Sequence, residues 1–214
     1  MEKKKILIVH GYEFWKDHVG EPDETVCQIG ELNATVCQTV AKIHSQYDII
    51  ILSCGWYFSN YKWRPTIAEV IRERLIELGV PEEKLHTQFS LGRQNFFPPR
   101  DTMEDVDLLA TLLKALGFIP KETEFDAIVI WFMKPRMKFL QRTRRTKCRK
   151  IIGAWSGFKF NKDTIRKILT EFLAFPIMLF DPWGGGKIIA RTRRQRTCQV
   201  PDYVTEKNLP TAWE

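Results

Sequence analysis

Asp48-Ile-Ile-Ile-Leu-Ser-Cys-Gly-Trp56 is the stretch whose reading decides the fold. Four apolar residues in a row, three of them β-branched, suit a strand covered on both faces, because a strand with one wet face alternates. Covering both faces takes helices, and helical periods lie on either side of the stretch, at 31–45 and 65–78. Ser53, Cys54 and Gly55 then end the strand with small side chains that leave backbone N–H groups accessible. In open α/β sheets ligands bind beyond the carboxyl ends of the strands. Ser53–Gly55 is therefore expected to form part of a site floor.

Outward from this strand the pattern repeats. An apolar run ending at His10 and Gly11 is an opening strand, followed by a long polar loop over 12–30. After Gly55 come five aromatics in eight residues, Trp56, Tyr57, Phe58, Tyr61 and Trp63. Thr66-Ile-Ala-Glu69 reads as a capping box, with Pro65 as an alternative first residue of the helix, which stops at Gly79. A third strand is expected at 84–89, then a loop and a second capping box, Asp101-Thr-Met-Glu104. A fourth strand follows at 125–132, a basic helix at 135–144 and a fifth strand at 148–153. A helix is expected over 161–174 and a short last strand over 176–180. This alternation predicts a three-layer α/β/α sandwich with a mainly parallel sheet of about five strands. Residues 1–182 read as one α/β domain and 183–214 as a basic C-terminal arm or extension, or a weakly ordered end.

Composition narrows the class. The 214 residues, 44% hydrophobic and 28% charged, suit one sizeable core. No apolar run approaches a membrane span, and the N-terminus does not read as a signal peptide. Five scattered cysteines without paired spacing fit reduced thiols, and with them a cytoplasmic location. The four histidines lack ligand spacing, so no metal site is expected. The Gly-rich dinucleotide fingerprint is absent after the first strand. Charge is uneven: nine Lys/Arg and no acid over 134–150, and five with none over 187–196. These carry +14 against a net +7, so the rest of the chain is net −7. Such runs suit a polyanion or nucleic acid, a solvated face or an acidic partner.

Six pieces in this order resemble the YdcF/SanA/ElyC family, over about residues 4–152. They are the opening strand and turn at 6–11; Ser53-Cys54-Gly55 for the family's Ser-Gly-Gly; and Thr66-Ile-Ala-Glu69 for its Ser/Thr-x-x-Glu. The others are Leu78-Gly-Val-Pro81-Glu82 for Gly-Val-Pro, Asp101-Thr102-Met-Glu104-Asp105 for Asn-Thr-x-Glu-Asn, and Met133-Lys-Pro-Arg136 for His-x-x-Arg. The resemblance implies a Rossmann-like sheet. It also implies a link to bacterial envelope biogenesis, often behind a membrane anchor, or membership of a soluble branch associated with binding S-adenosylmethionine. Without an anchor, this chain is expected on the soluble side. Met133 replaces the family's histidine, Trp131 and Phe132 its small polar residues, Asp105 an asparagine and Cys54 a glycine. Chemistry resting on that histidine does not carry over.

The candidate site residues follow. Glu69 and Glu104 either cap helices or contact a ligand, and Asp105 joins them through the resemblance. Asp101, Thr102 and the helix start behind them offer N–H groups to an anion. Arg136 grips an anion or belongs to a solvated basic helix. His10 is an acid–base candidate or a structural hydrogen-bonding residue. Gly11, Ser53 and Gly55 line the turns, while Cys54 is a small turn residue or a reactive thiol. Trp56, Tyr57, Tyr61 and Trp63 close over a ligand, pack on the sheet edge or meet another subunit. The leading expectation is a small anionic or nucleotide-like ligand, S-adenosylmethionine being the candidate cofactor, with no reaction legible. The alternatives are nucleic-acid or polyanion binding through the basic segments, and a scaffold joined through the aromatic loop.

Overall fold

The computed structural model describes residues 4–11, 29–53, 67–87, 90–91, 102–155 and 162–180. Five strands, β1 (Ile6–Val9), β2 (Ile49–Leu52), β3 (Leu85–His86), β4 (Glu124–Ile130) and β5 (Lys147–Ala154), form one all-parallel sheet in the order β3-β2-β1-β4-β5. Between them run α1 (Glu31–Ile43), α2 (Ile67–Glu77), α3 (Thr102–Ala115) and α4 (Lys134–Thr143), with α5 (Lys162–Phe180) after β5. This is a Rossmann-like α/β fold. Right-handed crossovers place α1 and α2 on one face of the sheet and α3 and α4 on the other. Every residue of β1 and β2 is buried, as unbroken apolar runs require.

The middle strand is β1, paired with β2 on one side and β4 on the other, so the stretch 48–56 lies one strand off the centre. Doubly covered strands all read as apolar runs, so periodicity identifies them without ordering them. The third strand is far shorter than expected, two residues at the sheet edge, with Phe89 outside the described residues. The expected strand over 176–180 is instead the last turn and a half of α5, which runs through Pro176. Ile168, Glu171, Phe175 and Met178 form one inward stripe across that proline, and its packing outweighs the lost N–H.

Three helices hand over to strands through the same cap. After α2 the N–H of Val80 donates to Leu75 O and that of Gly79 to Ile76 O, with Gly79 at φ 83°. Gly117 at φ 80° does this for α3, and Arg145 at φ 52° for α4. In β5, Cys148 faces Phe125 while Lys150 faces Asp126, so Arg149 is the extra residue of a bulge. Its guanidinium returns to Asp126 at 3.2 Å. No helix among the described residues is long and apolar enough to cross a membrane. Residues 183–214, expected as an arm, lie outside the described residues.

Candidate functional site

The chain leaves β1 toward β2 and β3, then returns across the sheet to β4, so β1 and β4 flank the topological switch point. In open α/β sheets such a switch point is where ligands bind. His10 and Gly11 follow β1, Ser53 follows β2, and the 3₁₀ turn Trp131–Met133 follows β4. Hydrogen bonds lock these ends side by side. The His10 N–H donates to Ile128 O at 3.0 Å, and the Ser53 N–H to Val9 O at 2.9 Å.

A second tier of contacts brings the helix starts down onto these ends. The Ser53 hydroxyl donates to the Asp105 carbonyl at 2.7 Å, holding the first turn of α3 over β2. Thr102, which opens α3, accepts a hydrogen bond from the Arg136 guanidinium at 2.5 Å. Arg136 also pairs with Glu171 of α5 at 2.9 Å, and both side chains are largely buried. The guanidinium thus ties α4 to α3 and α5 instead of standing in solvent. Glu69 lies half-buried in the first turn of α2. Because α2 returns the chain from β2 to the parallel β3, that turn belongs to the carboxyl edge as well.

His10 is fully buried, and neither ring nitrogen has a hydrogen-bond partner among the described residues. Burial pushes its pKa down to about 4, opposed by a hydrogen-bonding approach of the Ser53 backbone that falls short of a well-formed hydrogen bond. The ring is therefore neutral at pH 7, offering one N–H donor and one lone pair. At that basicity it is a poor proton acceptor near neutrality, and a better positioned hydrogen-bonding group.

The turn that follows β4 is apolar. Phe132 and Met133 are buried, and Trp131 packs on Trp155 at 4.8 Å between ring centroids. Gly153 of β5 makes room for Trp131: a Cβ there would come within 3.2 Å of the Trp131 Cα. The indole N–H of Trp131 is buried without a partner among the described residues.

His10, Gly11, Ser53, Thr102, Asp105 and Arg136 thus come together, with Glu69 on the same edge. Cys54, Gly55, Trp56, Tyr57, Tyr61, Trp63 and Asp101 lie outside the described residues, as does the side chain of Glu104. Glu171 and Trp131 belong to the assembly and were not singled out from the sequence. Glu171 left one signal, being the only charged residue between Lys167 and Phe180. No group of three or more metal-ligating side chains occurs among the described residues. No family model, curated protein or solved structure matches the chain significantly.

Proposed function

We propose that the protein binds a small anionic or nucleotide-like ligand at the carboxyl edge of β1, β2 and β4. The observation that carries this reading is His10, a wholly buried imidazole at the switch point with both ring nitrogens unpartnered among the described residues. Leaving such a group unmade costs about 1–3 kcal/mol, a cost that a ligand polar group offsets on binding. The start of α3 supplies N–H groups for an anion, with Arg136 and Glu171 fixing its position as positioning residues. Trp131 and Phe132 provide an apolar wall for a base or similar ring. The motif resemblance makes S-adenosylmethionine the first ligand to try, and free thiols at Cys37 and Cys148 agree with a reducing, cytoplasmic setting. No reaction is assigned.

The test is calorimetric titration and thermal shift with S-adenosylmethionine, then nucleotides and inorganic phosphate. The parent should bind one of them. His10→Leu and Thr102→Val should weaken that binding at least ~10-fold while remaining folded. Glu69→Gln or Glu104→Gln should also lose affinity, whereas pure capping would leave it unchanged because glutamine caps equally well. Absence of binding up to millimolar ligand, or binding indifferent to all four substitutions, sinks the reading.

A polyanion reading rests on the basic run alone. Of its nine cations, Arg136, Arg144 and Arg149 are held in ion pairs with Glu171, Asp107 and Asp126. Six remain for phosphate contacts, and the segment 187–196 lies outside the described residues.

A further inference from the structure

Among the described residues, α5 buries one face and leaves the other uncovered. Its inward stripe meets α4, where Phe175 packs edge-on against Phe139 at 6.0 Å. Ile165, Leu169, Phe172, Leu173 and Phe180 project the other way, with Phe172 71%, Leu173 74% and Phe180 92% exposed. Their spacings of three and four residues, with exposed Pro176 between them, trace a single helix face. An aromatic side chain carries about 150–250 Å² and an aliphatic one somewhat less, so these fractions amount to roughly 700 Å² of apolar surface. Monomers rarely expose a patch beyond ~300–600 Å². The stripe is also uncharged, because Glu171, the one charge past Lys167, turns inward to Arg136.

We propose that this face receives a second copy of the chain, as an antiparallel α5–α5 pair about a twofold axis beside Phe172 and Leu173. Two such faces bury roughly 1,400 Å², within the ~1,200–2,000 Å² of stable specific interfaces. An uncharged apolar stripe complements itself, as an isologous contact requires. Charge sets the direction. The last turn of α5 carries no basic residue to offset its negative dipole end. Antiparallel pairing sets each copy's negative last turn beside the positive first turn of the other, whereas parallel pairing sets like ends side by side. A lipid surface fits less well, since interfacial helices carry Lys/Arg along their polar face and α5 has none after Lys167.

Sedimentation and light scattering of the full chain between about 1 and 100 µM should show a dimer. Leu173→Glu and Phe172→Glu should each weaken it at least ~30-fold and leave circular dichroism unchanged, both positions being exposed. In the antiparallel register residue 165 faces residue 180. A mixture of Ile165→Cys and Phe180→Cys chains should therefore form a disulfide-linked dimer that neither variant nor the parent forms alone. This readout survives even if a glutamate variant fails to fold. A monomer throughout the range, a dimer indifferent to both glutamates, or cross-linking of each cysteine variant with itself overturns the proposal. Monomers that co-sediment with phosphatidylserine vesicles overturn it in favour of a membrane partner.

Discussion

A neutral imidazole walled off from water makes stability depend on pH in a definite direction. Burial holds His10 near a pKa of about 4, while the same ring in the unfolded chain titrates near 6.5. Between these values the unfolded state binds more protons, so this contribution is complete above pH 6.5 and is lost as pH falls toward 4. The gap corresponds to roughly 3 kcal/mol. His10→Leu should flatten that slope in denaturant titrations between pH 4 and 7; a parallel profile would mean that the ring is hydrated in solution. At the opposite edge of the sheet, the Tyr47 hydroxyl donates to Asp126 at 2.9 Å. Burial, then the hydrogen bond and charge of Asp126, push its pKa up to about 12. Tyr47→Phe leaves a mostly buried carboxylate with Arg149 as its remaining partner among the described residues and should cost about 1.5–3 kcal/mol, measured by urea unfolding at pH 7.

The helix caps show how residue chemistry scales up to elements. Gly79 and Gly117 occupy left-handed positions freely, but Arg145 occupies the equivalent one at φ 52° with a side chain attached. That conformation costs an L-residue about 1–2 kcal/mol, part of which glycine would return as unfolded-state entropy. Arg145→Gly should therefore stabilise the protein by about 0.5–1 kcal/mol, seen as a higher Tm; a lower Tm would show the side chain to be engaged. The glycine stops were legible in the sequence because glycine announces its backbone role, whereas the arginine stop was not. Helix α5 was misread for a related reason: Pro176 is a local breaker, while the stripe that carries the helix through it is tertiary. Likewise the strand ends at His10 and Ser53 could be placed from apolar runs and small residues. The Arg136–Glu171 pair joins positions 35 residues apart on two helices, and no local spacing encodes such a contact. His10 could be picked out as a strand-end histidine, but its complete burial is a tertiary property that no local spacing encodes.

At the scale of the molecule, stability should be graded across the sheet. β1, β2 and most of β4 are buried, while β3 has two residues and β5 keeps most of its side chains half-buried or exposed. Lys147, Arg149 and Lys150 lie on β5, an outer strand whose charges discourage pairing with another chain. Opening β3, or fraying the first half of β5, exposes less apolar surface than opening β1. Opening β1 exposes the whole core, because it parts both neighbours at once. Amides of β1, bonded to β2 and β4, should exchange only through global unfolding, whose free energy in domains of this size is about 5–15 kcal/mol. Those of β3 and the first half of β5 should exchange through smaller openings and respond less to denaturant. The His10 amide, which donates to Ile128, reports on the candidate site. It should share the slow class of β1 if the switch point is a rigid platform, and the faster class if the site is assembled only on binding. Native-state hydrogen exchange across a denaturant series separates these outcomes. Equal protection in β3 and β1 would contradict the graded sheet and replace it with a single cooperative unit reaching its edges.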